Sequence, residues 1–183
     1  MHEARVADSE AGRRVEGEGW FVLNLAEAAW ETMERGGTWS LLESDEAHFG
    51  QFGIGVHVLP PGEAPGFYHW ESDQEGFLVL AGACVLIVEG QERRLRRWDY
   101  FHCPPGTRHI MVGAEGDELC AVLMVGARTK GKIINYPADP VAAAHGVSVR
   151  EDAANAREAY AQWDGPRDRT LVPAPWPPAA QRE

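Results

Sequence analysis

The 183 residues are enough for one domain with a real hydrophobic core. Aspartate and glutamate outnumber lysine and arginine by 28 to 17, for a net charge of −11, which is a poor match for phosphate backbones or anionic membranes, so nucleic acid is not an expected partner. The longest apolar run, Phe77 to Val88, is too short to span a bilayer and is broken by Gly82, and the stretch after Met1 returns to charge at once, so neither a membrane anchor nor a secretory signal is expected and the location expected is cytoplasmic.

In chain order, "GWFVLNLAEAAWETMERGG" reads as a strand followed by a short helix ended by Gly36 and Gly37, an N-terminal arm over residues 1–37. From residue 38 to about 130 the pattern changes to short β segments: "TWSLLE", "QFGIGVHVLP", "GFLVLAG", "ACVLIVEG", "QERRLR", "DYFHCP", "RHIMVG" and "ELCAVLMVGAR". Their regular spacing and Gly, Pro and acidic punctuation predict an antiparallel sandwich or barrel. Phe52, Ile54, Val56 and Val58 alternate strictly, which reserves one face of that strand for the core. Residues 131–183 form a C-terminal extension. Within it Asn155 is an N-cap with Glu158 three residues on, and Ala156, Ala159, Tyr160 and Trp163 share a helical face. The proline-rich end cannot enter a helix or a central strand, and lies loose or extended along the surface with Trp176 as an anchor. Cys84, Cys103 and Cys120 stand far apart in apolar strands and read as buried free thiols. The "WFVLN" segment is too apolar for water and is expected to pair with a sheet edge of its own chain or of a second copy, with a homodimer as the result.

Chemistry concentrates in "FYHWESDQEGFLVLAG". In an extended strand, side chains two apart share a face, so His69 and Glu71 project together. Glu75 follows with the same parity, and His109 comes forty residues after His69, behind the turn "CPPGTRH". Two imidazoles and two carboxylates assembled by sheet folding suit a divalent first-row metal. Gly62 and Gly106 each follow two prolines, a combination that makes a stiff bend ahead of a histidine. His57 and His102 fall in strands and either line a pocket or serve as hydrogen-bonded structural residues. The four arginines of "RRLRRW" read as a solvated strand edge that resists sheet-to-sheet aggregation, and Trp70 and Trp98 as packing or interface residues.

These stretches resemble the two motifs of the cupins. "HWESDQEGFLVLAG" is similar to the first, from His69 through Glu75 to Gly82 with the six-residue gap between the last two; "WDYFHCPPGTRH" is similar to the second, with Asp99, Pro104, Gly106 and His109 in place. Glu71 departs from the pattern where a second histidine is usual, and Trp98 where glycine is usual. The resemblance implies a double-stranded β-helix, or jelly roll, to which the N-terminal arm and the C-terminal extension add short helices. It implies His69, Glu75 and His109 as metal ligands, with Glu71 added by position. Iron or manganese is favoured, with zinc or nickel as alternatives. The function it implies is a metal-dependent enzyme, of dioxygenase, isomerase or lyase type, acting on a small organic molecule. The alternative is a non-catalytic cupin that binds or senses a small molecule. No residue is assigned a catalytic role. A 2-oxoglutarate-type oxygenase triad of His69, Glu71 and His109 is disfavoured by the Glu75 and Gly82 spacing.

Overall fold

The computed structural model describes residues 1–34, 36–44, 46–116, 118–163 and 168–177. It begins with a hairpin of β1 (Arg5–Ser9) and β2 (Gly12–Glu16), followed by β3 (Ala29–Met33) and β4 (Gly37–Ser40). The jelly roll proper contains β5 (Phe52–Leu59), β6 (Trp70–Glu71), β7 (Glu75–Ala81), β8 (Ala83–Val88), β9 (Gln91–Arg96), β10 (Tyr100–Cys103), β11 (His109–Gly113) and β12 (Cys120–Ala127). The chain then forms β13 (Ile134–Asn135), α1 (Pro140–Ala144), α2 (Ala156–Ala161) and β14 (Arg169–Pro173).

All pairings between these strands are antiparallel. One seven-stranded sheet runs β10-β7-β12-β5-β4-β3-β14, and a second runs β11-β8-β9; β13 and β6 make a separate short ribbon. No ladder joins the two larger sheets into a closed cylinder among the described residues, so the jelly roll is an open one. Its interior is filled by Leu59, Phe77 and Val79 from the large sheet and by Cys84, Leu86 and Met111 from the small one. Both outer faces are covered too. Trp30, Val56, Val58 and Ala121 bury against Leu23, Leu25, Val172 and Trp176 on one side, and Ile87, Ile110 and Val112 bury against Ala142 and Val147 on the other. Burial on both faces explains the unbroken apolar runs of β7 and β8, where a half-solvated strand would alternate. All five residues of β11 are buried.

Each of the eight β segments read in residues 38–130 contains a strand of the structure. The alternation of β5 is borne out at Val56 and Val58, but that apolar face packs under the N-terminal and C-terminal segments, while the opposite face, with Gly53, Gly55 and His57, looks into the jelly roll. β9 is the free edge of the small sheet and carries the arginine run in solvent. The three cysteines are free and buried. α2 starts where expected: Asn155 Oδ1 accepts from Glu158 N at 3.0 Å, Glu158 Oε2 accepts from Ala154 N, and Tyr160 and Trp163 pack against Phe67. No helix among the described residues is long and apolar enough to cross a membrane.

The expected N-terminal helix is corrected. β3 and β4 instead pair as antiparallel strands, with Trp30 opposite Ser40 and Thr32 opposite Thr38. Good helix formers dominate "AEAAWETMER", but the β14 strand, about 140 residues further along, pairs with β3, and together with β4 it buries Trp30 completely. Tertiary pairing of that kind outweighs a propensity difference of a few tenths of a kcal/mol per residue. "WFVLN" is not a strand. Only Trp20 makes a bridge, parallel to Glu3, and Leu23 turns in to the Trp30 cluster while Trp20 and Val22 stay exposed. The proline-rich end supplies β14 on the sheet edge, where proline is tolerated, and Trp176 packs behind it.

Candidate metal centre

His69 and His109 face each other as an antiparallel backbone pair: His69 N donates to His109 O at 3.1 Å and His109 N to His69 O at 2.8 Å. Cross-strand partners project to the same side, so the two rings meet with centroids 5.0 Å apart. The turn before His109 has Gly106 at φ +81°, a conformation that favours glycine, and Gly106 N donates to Glu71 O at 2.7 Å, tying the two motifs together. Glu75 opens β7 between Cys103 of β10 and Gly126 of β12. At the other end of β7, Gly82 stands at φ +65°, with the Leu119 carbonyl where a Cβ would be. The motif glycine is thus required by both the turn and the packing.

One donor atom each from His69, Glu75 and His109 falls within 4.8 Å of the others. The hydrogen bonds behind the rings fix their tautomers. His69 Nδ1 lies 2.7 Å from Phe67 O and His109 Nδ1 lies 3.0 Å from Thr107 O. A carbonyl oxygen only accepts, so both Nδ1 atoms carry the proton and both Nε2 lone pairs are left for a ligand. Backbone anchoring of this kind is how metal-binding histidines are oriented. Glu75 Oε2 is buried with no hydrogen-bond partner among the described residues, 3.5 Å from His109 Nε2. Two free imidazole nitrogens beside an orphaned carboxylate oxygen fit a divalent cation.

Burial dominates the electrostatics. It pushes the Glu75 carboxyl up to about 7, with the charge of Glu71 as the next contribution. It brings His109 down to about 4, assisted by His69, and it lowers His69 as well. Cys103 Sγ lies 3.5 Å from His109 Nδ1, but burial raises its thiol to about 12, so it is neither a thiolate ligand nor a ready nucleophile.

Glu71 is not in the three-residue cluster. Its Oε2 accepts from Lys132 Nζ at 2.7 Å, and both side chains line the same cavity as the cluster. Lys132 arrives by way of β13, which pairs with β6 so that Ile134 lies opposite Glu71. Sequence reading missed Lys132, since nothing local links two residues 61 apart. The cavity has a volume of about 460 Å³, and Phe77, Met111 and Met124 give it an apolar side. At its edge Arg128 is held by Glu43 at 3.0 Å and by the Phe49 carbonyl at 2.8 Å. His57 lines the cavity, whereas His102 is exposed on β10 and does not. Trp70 is half-buried in β6; Trp98 is exposed in the turn between β9 and β10, at φ +77°, where the motif has glycine.

Comparison with known proteins agrees with this architecture. Residues 55–126 match the family described as the cupin domain, which supports cupin superfamily membership for that segment. Among solved structures the chain is similar to the polyketide cyclase RemF from Streptomyces resistomycificus, with 17% identity over 60% of this chain and 80% of that one and a TM-score of 0.51. It is also similar to a sugar phosphate isomerase of the cupin superfamily from Silicibacter pomeroyi, with 24% identity, coverage of 61% and 67%, and a TM-score of 0.49. A third, a proposed sugar phosphate isomerase from Acidithiobacillus ferrooxidans, is 25% identical over 48% of this chain and 56% of that one, with a TM-score of 0.45. The chain spans little more than half of that last protein, and the likeness is one of fold. A search of curated proteins finds no match.

Proposed function

We propose that the chain is a metal-dependent cupin enzyme acting on a small organic molecule in the cavity, by oxygenase, isomerase or lyase chemistry. The observation that carries the proposal is the convergence of two free Nε2 atoms and one unpartnered buried carboxylate oxygen on a cavity of about 460 Å³. His69, Glu75 and His109 hold the ion, with iron or manganese favoured and zinc or nickel as alternatives. When bound, the ion supplies Lewis acidity or a redox centre. Glu71, paired with Lys132 in the same cavity, would stand beside the bound ion, where its carboxylate would accept or return a proton on the substrate. Phe77, Met111 and Met124 keep water from that side of the cavity. The chain is further proposed to work in the cytoplasm as a homodimer; the exposed Trp20 and Val22 of the N-terminal segment support a covered surface there, and light scattering reads the state directly.

The test is metal content after purification without chelator or affinity resin. Wild type is expected to carry stoichiometric metal, His109→Ala to lose it, and Glu71→Gln to keep it while turnover falls. Full occupancy in His109→Ala refutes the site. Tight binding of a small molecule with no turnover by metal-loaded protein returns the chain to the non-catalytic reading.

A further inference from the structure

His57 stands near the middle of β5, between Trp39 of β4 and Val122 of β12, on the face that lines the cavity. Its ring lies against Trp39, with centroids 6.2 Å apart and planes 25° from parallel. Trp39 is itself fixed, for its indole N–H donates to Glu31 Oε2 at 3.1 Å and the Arg169 guanidinium lies 5.4 Å from its ring. Of the two imidazole nitrogens of His57, only Nδ1 is sealed from solvent without a partner; Nε2 makes no hydrogen bond among the described residues and is open to the cavity. A neutral imidazole has one N–H and one lone pair. Sealing the N–H away unpaired is the worse arrangement, because orphaned buried donors are rarer than under-used acceptors. The proton therefore sits on Nε2, and burial keeps the ring neutral, with its pKa down to about 4.

We infer that His57 is a ligand-binding residue whose Nε2–H donates a hydrogen bond to a carbonyl oxygen of a small molecule in the cavity. The inference rests on the reading of the cavity as a small-molecule site. Sequence motifs do not single out His57, which lies outside both of them.

The experiment uses the zinc-loaded full chain, labelled with ¹⁵N, and two probes of nearly equal size, acetophenone and ethylbenzene, which differ in the carbonyl. Long-range ¹H–¹⁵N spectra are expected to show His57 protonated at Nε2, with that nitrogen shifting on addition of acetophenone. Acetophenone should bind about tenfold tighter than ethylbenzene, the usual worth of one well-made hydrogen bond. His57→Phe should abolish this preference and leave metal content unchanged, while His57→Gln, which keeps a donor, should retain part of it. An Nδ1–H tautomer, equal binding of the two probes, no binding of either, or a preference that survives in His57→Phe each overturns the inference. Metal content of the wild type is read separately, so failure of the metal site and failure of the His57 contact are distinguished.

Discussion

Replacing Glu75 by glutamine tests whether the carboxyl is held against its will in a buried site. In the metal-free folded chain its pKa rises from 4.5 to about 7, chiefly through burial. Its side chain is only 15% exposed, so solvent screens little of this. At about 1.4 kcal/mol per tenfold change, that displacement corresponds to roughly 3 kcal/mol. The sign follows from proton binding. Below pH 4.5 both folded and unfolded chains hold the proton and the stabilisation is complete. Between 4.5 and about 7 the unfolded chain has released the proton while the folded chain still keeps it, so stability falls as pH rises, and the loss is complete above 7. Glutamine mimics the neutral acid and removes this dependence. Urea unfolding of chelator-treated protein should therefore show Glu75→Gln equal to wild type near pH 4 and more stable by about 3 kcal/mol at pH 8. His69 and His109, whose pKa values are lowered, act in the opposite direction as pH falls, but their contributions largely cancel in the comparison of the two proteins. A difference between wild type and variant that stays flat from pH 4 to 8 would refute the buried, unpartnered carboxylate, and with it the main argument for a cation there.

Three further outcomes are expected. Trp98→Gly relieves a left-handed backbone conformation that costs an ordinary residue roughly 1–2 kcal/mol, against the loss of the exposed contact with Arg97; the melting temperature should rise, for a gain of about 1 kcal/mol, and a fall would show that the indole packs for stability. Gly55→Leu projects into open cavity and should leave metal content intact while blocking small-molecule binding, as read by calorimetry with acetophenone. Asn155→Ala removes the cap of α2 and should cost about 1 kcal/mol in urea unfolding, with loosening of Tyr160 and Trp163 visible as a change in tryptophan fluorescence.

The sequence by itself determined the features that depend on local spacing, the strand series from β4 to β12 and the capped α2, while the meeting of His69, Glu75 and His109 was legible through the resemblance of their two stretches to the cupin motifs. Tertiary structure alone decided the rest. Whether "AEAAWETMER" becomes helix or strand depended on β14 arriving from the far end of the chain, because propensity differences are small beside the burial of Trp30. Which face of β5 looks into the cavity depended on what covers the large sheet from outside, since alternation gives a period but no direction. Glu71 was placed by its motif position among the ligands, yet its carboxylate is turned to Lys132, a partner brought within 2.7 Å by the pairing of β6 with β13. An ion pair between residues 61 apart leaves no periodic trace in a chain; it exists only once the sheets have folded.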